Sequence, residues 1–578
     1  TFHIDGGVFF CSVCNIPVTW AKKDSTDKHL KSKKHLRLCK ERVTTGSTSE
    51  DVPMKRMCLQ RTINSFVDAS SGKASKANIN FQVVEAFTSA NVPLEKLDHP
   101  KLRELLSSNI KGGGCLPKAD TLRREWMPKV FQTKKAEVKE RIHGTDIALI
   151  FDEAEDNCER SILNILALPL GLFTVSQGRE PYLLDTIHLE DGCNNTTVTR
   201  SVLNVMHDYD IPYDNLMFII TDNASYMKVV HRNLKAMIPG LMHVTCWPHI
   251  LNLVGEAFST VFSSITTLLK AAQNFFKHAH RRKREWRKFL SQNDTTLTAK
   301  SPPMYSPTRW NSWFLTVKYW NLYLKHLGPF VETMMATEMS SSSRVTALHD
   351  FLNVNNVQSQ LKFICENSEP LMAKLRLLES RMCIPSECFI IIEDLLLFFG
   401  MKEDESRGLL QRRSFEDAAK KLRKYFTDGG QPGMAFFSFV RSVDPFQVDM
   451  LTMSGQLCTK IGTPEAPVEM AKNPLLREEW KIYLHAARNI VPVPIDGSEA
   501  GLSHMEKKHL HLKRFWLAMK ERIPNLFKLA DTLLGATCTS ADVERSFAKI
   551  KCILSDQRQA MKFETFQQLA FLHYNENS

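Results

Sequence analysis

The run Asp146-Ile147-Ala148-Leu149-Ile150-Phe151-Asp152 decides the reading of the fold. It is short, apolar, rich in branched side chains and closed by a carboxylate, the pattern of a buried strand rather than of a helix. Working outward, Ser161-Ile162-Leu163-Asn164-Ile165-Leu166-Ala167 and Tyr182-Leu183-Leu184-Asp185-Thr186-Ile187-His188 follow at hairpin distances, so three adjacent strands are expected. Val198, Val202, Val205 and Tyr209 then recur at helical spacing, and Leu216-Met217-Phe218-Ile219-Ile220 returns to strand. A helix near residues 224–236, a strand at Met242 to Thr245 and a helix opening after Pro248 complete the series. Strand, strand, strand, helix, strand, helix, strand, helix is the order of the ribonuclease H-like fold, and the expected class is α/β.

That order gives three acids a meaning. Asp152 stands at the end of the first strand and Asp222 just past the fourth, so a sheet with those strands side by side brings both carboxylates to one site. Glu544 supplies a third from a helix in Thr539-Ser540-Ala541-Asp542-Val543-Glu544-Arg545-Ser546-Phe547, where Thr539 or Ser540 can cap and Val543, Phe547, Ile550 and Leu554 form the buried stripe. In-line cleavage of a phosphodiester requires both the attacking and the leaving oxygen to be stabilised, which two Mg²⁺ or Mn²⁺ ions about 4 Å apart achieve on hard carboxylate ligands. Taken singly, each acid is an ordinary exposed carboxylate; as a trio on this topology they are the candidate catalytic ligands. Glu153 and Asp156 compete with Asp152 for the first position.

Near the start, Cys11 and Cys14, followed by His29 and His35, have the C-x2-C and H-x5-H spacing of a tetrahedral zinc site. Phe9, Phe10, Val18 and Leu30 offer the small core that the metal would organise. Lys28, Lys31, Lys33, Lys34, Arg37 and Lys40 crowd the second ligand pair and set phosphate-binding cations on that helix.

The chain of 578 residues exceeds what a single core holds, and its net charge of +12 favours a polyanionic partner. No apolar run follows Thr1-Phe2-His3-Ile4-Asp5 and the fourteen cysteines form no dense framework, so a reducing compartment is expected. Cys388 to Met401, broken by Glu393 and Asp394, falls short of a membrane span, and a soluble protein is expected. The expected organisation is a C2H2 or BED-like finger at 1–43, a polar linker at 44–78 and a helical DNA-binding or dimerising module at 79–140 carrying Arg123, Arg124 and Trp126. The first part of the core follows at 141–259, a large α-helical insertion at 260–510, and a closing block at 511–578 that completes the core and dimerises.

Two resemblances sharpen this. His29-Leu30-Lys31-Ser32-Lys33-Lys34-His35, with Asn91-Val92-Pro93-Leu94-Glu95-Lys96, Asp98-His99-Pro100 and Leu122-Arg123-Arg124, resembles the family of the vertebrate CGG triplet repeat-binding protein, small and non-enzymatic, over about the first 130 residues. The stretch from Phe527-Lys528-Leu529-Ala530 through Ser540 to Phe547 and on to Phe571-Leu572-His573-Tyr574-Asn575 resembles the C-terminal block of hAT transposases. Ile219-Ile220-Thr221-Asp222-Asn223-Ala224 is similar to that family's second catalytic aspartate, Cys246-Trp247-Pro248-His249 to its C-x2-H motif, and Thr308-Arg309-Trp310-Asn311-Ser312 to its Arg-Trp motif. The resemblance implies a nuclear DDE-type DNA transposase: cleavage at element ends, hairpins on flanking DNA and strand transfer, by a homodimer or larger assembly on double-stranded DNA. Many relatives carry tryptophan and threonine soon after the first aspartate, whereas here Asp152-Glu153-Ala154-Glu155-Asp156 is acidic. A domesticated DNA-binding regulator without catalysis is the alternative.

Secondary sites have two readings each. Cys246 and His249 either belong to the active-site architecture and touch DNA, or end a strand and start a helix in the core. Trp310 either stacks on an unpaired base, with Arg309 on a phosphate, or packs. The cations of Lys277 to Lys288, including Arg281, Arg282 and Arg284, either hold DNA phosphates or form a solvated face.

Overall fold

The computed structural model describes residues 2–5, 8–11, 29–32, 35–36, 72–110, 116–173, 180–306, 309–337, 343–354, 357–462, 467–490, 501–554, 558 and 560–576. Cys14, Lys28, Lys33, Lys34, Arg37, Lys40 and most of the expected linker lie outside them. The chain forms two compact units, Thr1–Ala69 and Ser70–Ser578.

In the first unit, β1 (Phe2–Asp5) and β2 (Val8–Cys11) pair antiparallel, with Cys11 opposite Phe2.

The second unit is mostly helical around one mixed sheet. Its strands are β3 (Ile147–Glu155), β4 (Ser161–Pro169), β5 (Tyr182–His188), β6 (Leu216–Thr221) and β7 (Met242–Thr245), in the order β5-β4-β3-β6-β7. The first three pair antiparallel, whereas β3–β6 and β6–β7 are parallel. The parallel crossovers pass through α4 (Asn195–Asp208) and α5 (Ser225–Lys235), after α1 (Gly72–Ser89), α2 (Pro100–Asn109) and α3 (Met127–Ile142). Asn194 starts α4 with a capping box, its Oδ1 accepting the amides of Thr196 and Thr197 at 3.0 Å, a cap of the kind that contributes about 0.5–2 kcal/mol.

After β7 come α6 (Trp247–Val261), α7 (Ser263–Phe276), α8 (His280–Asn293), α9 (Trp310–Thr337), α10 (Ser343–Val354), α11 (Gln358–Glu379), α12 (Pro385–Glu405) and α13 (Leu409–Phe426). They continue through α14 (Met434–Val440), α15 (Val448–Met453), α16 (Pro474–Arg488), α17 (His504–Met519) and α18 (Pro524–Leu534) to α19 (Ala541–Lys551) and α20 (Phe563–Tyr574). Among the described residues, no helix is long and apolar enough to cross a membrane.

The apolar run that opened the reading is continuous because both sheet faces are covered. Ala148 and Ile150 enter a core shared with α6 to α13, while Ile147, Leu149 and Phe151 enter a second core with α1, α3, α4 and α5. β3 runs on to Glu155, so Asp152 lies inside the strand rather than at its end. The hydrophobicity stops at Phe151 because the parallel partner stops: the last β3–β6 pair is Ile150 with Ile220, and beyond it only β4 accompanies the strand.

The helical module is seated on the C-terminal helix. Phe131 packs edge-on against Phe571 with centroids 5.0 Å apart, His573 Nδ1 lies 2.6 Å from the Ser89 carbonyl, and Arg558 donates to Asn91 Oδ1 at 2.9 Å.

Candidate active site

Parallel pairing sets the first two acids. Asp152 and Asp222 each stand two residues beyond the paired Ile150 and Ile220, at one edge of adjacent strands. The Asp152 carboxylate accepts the Glu153 amide at 2.9 Å and that of Asp222 accepts the Ala224 amide at 3.0 Å.

The third acid arrives on α19. Asn164, which pairs with Asp152 across β3 and β4, donates to Ser546 Oγ at 2.7 Å and accepts from Thr186 Oγ1 at 2.8 Å, all three side chains being buried. This ties the helix to the sheet two residues from Glu544. Val543, Phe547, Ile550 and Leu554 are buried as the stripe requires. The N-cap is Ser540, whose side chain makes no capping bond and turns its hydroxyl to His249 Nδ1 at 3.4 Å, while the Thr539 hydroxyl accepts the Ala541 amide at 3.0 Å.

Both oxygens of Glu544 face cations: Oε1 lies 3.4 Å from His249 Nε2 and Oε2 lies 3.1 Å from Arg309 Nη2. Burial, then the Asp222 carboxylate and, more weakly, Glu544, push the Asp152 carboxyl up to about 7. His249 is raised to about 10, first by its neighbour Cys246 and then by Glu544 and Asp152, against the cost of burial. Asp152, Asp222, Glu544 and His249 thus act on one another electrostatically.

Cys246 is fully buried and cannot reach DNA in this conformation. Its sulfur accepts the Ser540 amide at 3.3 Å and the next amide, of Trp247, donates to the Cys538 carbonyl at 3.1 Å, so the C-x2-H stretch staples the approach to α19. Trp310, only 2% exposed, lies against Gly255 and Phe258 and stacks on Phe314 at 5.4 Å, so the packing reading describes it and its ring is not presented to a base. Arg309, beside it, is exposed.

The remaining cations are unequal. Arg281 and Arg284 are exposed on α8, whereas Arg282 folds back to donate to the Phe275 carbonyl at 3.1 Å. Arg123 pairs with Glu95, and Arg124 with Glu125 at 3.2 Å and Asp120 at 3.7 Å. Lys31 is exposed.

Sequence reasoning missed a clamp at the rim. Buried Asp542 accepts from Arg381 Nε at 2.8 Å and Arg545 Nη1 at 2.9 Å, and Arg545 also donates to the Glu379 carbonyl at 2.7 Å, joining the end of α11 to α19. A lone polar residue in an apolar strand, Asn164, was the signal available for the other missed position.

One group of donors among the described residues could hold a metal ion. The ligand atoms of Cys11, His29 and His35 lie within 4.8 Å of one another, and Cys11 Sγ is 3.4 Å from His35 Nδ1, a soft set that could hold a metal ion. The acids carry hard oxygen donors, and Glu544 is engaged by His249 and Arg309.

Comparison with known proteins matches four stretches of the chain. Residues 1–41 match the CGGBP1 N-terminal domain and 70–129 the CGGBP1 helical domain. Residues 117–275, which include Asp152, Asp222, Cys246 and His249, match a domain of unknown function (DUF659). Residues 498–576, which include Glu544, match the hAT family C-terminal dimerisation region. The chain is similar to CGG triplet repeat-binding protein 1 of Mus musculus, 35% identical over 133 residues that are 23% of this chain and 74% of the relative. The Homo sapiens protein of that name is 34% identical over 133 residues, with the same coverage of 23% and 74%.

Proposed function

The chain belongs to the family of the CGG triplet repeat-binding protein through its N-terminal quarter and ends in a hAT family dimerisation region; on that premise we propose that it is a nuclear DNA transposase of the hAT type, cleaving and rejoining DNA at Asp152, Asp222 and Glu544. The observation that supports this reading is that two carboxylates on neighbouring strands, Asp152 and Asp222, and a helix carboxylate from a separate part of the chain, Glu544, act on one another electrostatically beside His249. A sheet of three antiparallel and two parallel strands in the order β5-β4-β3-β6-β7 supports a ribonuclease H-like core, with the helices after α6 as its insertion.

In that core Asp152, Asp222 and Glu544 would hold Mg²⁺ or Mn²⁺, whose charge stabilises the attacking and leaving oxygens when bound. The protein's own residues prepare the site. The Ala224 amide fixes Asp222, Asn164 and Ser546 fix the helix bearing Glu544, and His249 orients that carboxylate. Exposed Arg309 stands where a phosphate could take its guanidinium, and Arg281 and Arg284 offer further phosphate contacts. Cys11, His29 and His35, completed by Cys14, would hold zinc in a finger that brings the enzyme to its DNA, with Lys31, Lys33 and Lys34 on phosphates. The matched dimerisation region supports a homodimer.

The test is cleavage of DNA carrying the cognate element ends in Mg²⁺ or Mn²⁺. Asp222→Ala and Glu544→Ala should each abolish it while DNA binding persists; unchanged cleavage in both removes the reading. The likeness to a repeat-binding protein favours a second reading, a DNA-binding regulator, which predicts sequence-specific binding without metal-dependent cleavage.

A further inference from the structure

Glu544 carries a negative charge into a region that already holds Asp152 and Asp222, and its two oxygens are met by different cations. His249 comes from the first turn of α6 and is half-buried within the architecture that staples α19. Arg309 is different. It precedes α9, its side chain is 62% exposed, and its contact with Glu544 at 3.1 Å is a single ion pair at the protein surface.

We propose that Arg309 is a stand-in cation: its guanidinium neutralises and orients Glu544 while no divalent ion is bound and gives the carboxylate up when one arrives. The inference rests on reading the three acids as metal ligands. Asp222 and Glu544 act on Asp152 as like charges, His249 meets only one oxygen of Glu544, and the arginine on the other oxygen offsets the remaining repulsion in the metal-free protein. A solvent-exposed pair is weak, so a dication held by several carboxylates displaces it readily. The backbone need not move for this to happen. Trp310, wedged between Gly255 and Phe314, fixes the chain immediately after Arg309, so the exchange is a swing of one long side chain about an anchored residue. Released from Glu544, the guanidinium is available to a phosphate oxygen, for which its fork of donors is suited. The adjacency of arginine and tryptophan thereby acquires a division of labour: the ring anchors and the cation exchanges.

The experiment is calorimetric titration of the full chain with Mn²⁺, without DNA. Arg309→Gln should bind Mn²⁺ about two- to fivefold more tightly than the unaltered protein, the range that an exposed pair spans, and should melt at a lower temperature without metal. Arg309→Lys, which keeps the charge, should return both quantities towards the original. Equal or weaker Mn²⁺ binding by Arg309→Gln overturns the proposal. Asp222→Asn and Glu544→Gln separate this from failure of the underlying reading. If they abolish Mn²⁺ binding while Arg309→Gln does not tighten it, only the stand-in role falls; if they leave binding unchanged, the acids are not the ligands and both fall.

Discussion

Asn164 and Ser546 are 382 residues apart in sequence and 2.7 Å apart in space, the amide of a central strand donating to the hydroxyl of the helix that carries Glu544. Replacing Asn164 by Leu leaves Ser546 and Thr186 without their buried partner, a loss of about 1–3 kcal/mol. Denaturant titration measures that loss. DNA cleavage should fall further than the unfolded fraction explains, because the tie that registers Glu544 against Asp152 is gone.

Crowded carboxylates cost stability when no metal is bound. Asp152→Asn or Asp222→Asn should therefore raise the metal-free melting temperature, by a gain of ~1 kcal/mol, while eliminating cleavage. Scanning calorimetry in a chelating buffer checks it, and a fall in both variants would count against a shared site.

Asp185 gives a pH signature away from the site. Burial lifts its carboxyl from 3.8 to about 6, against the opposing hydrogen bonds from Gln567 at 2.6 Å and the Thr186 amide at 2.8 Å. The folded chain holds this proton more tightly than the unfolded chain, so its contribution is fully present below pH 3.8 and is lost as pH rises to about 6. Asp185→Asn keeps an acceptor for both donors and should flatten that part of the stability profile, measured by urea melts across the window.

Gly255 has no room for a side chain. A Cβ there would lie 2.1 Å from Trp310 Cδ2 and 2.4 Å from Cε3. Gly255→Ala should destabilise by about 1–3 kcal/mol or more through overpacking, and tryptophan fluorescence should register the displaced ring.

Loss of zinc should affect the fold of the first unit alone. Removing metal, or substituting Cys11→Ser, should abolish bound zinc, read by elemental analysis, and weaken DNA binding. The far-UV dichroism of residues 70–578, a separate compact unit, should be unchanged.

Much of the sheet could be read in advance because its strands are buried on both sides and so appear as unbroken apolar runs. The extension of β3 to Glu155 could not, since its polar tail reflects where β6 ends rather than any local preference. Asp222 and Glu544 were visible as carboxylates at element ends. Their surroundings were not: Asp542 reaches Arg381, 161 residues away, through contacts that no periodicity encodes. Trp310 shows the converse difficulty, an aromatic whose composition suits base stacking and whose position, against Gly255, encloses it.

The seating of the helical module on α20 makes the joint between the two ancestries of this chain a weld rather than a hinge. Phe571 and His573 of α20 grip Phe131 of α3 and the Ser89 carbonyl of α1, the last of these 484 residues from its partner in sequence. Cutting the chain before Phe571 would therefore strip the inner surface of α1 and α3 as well.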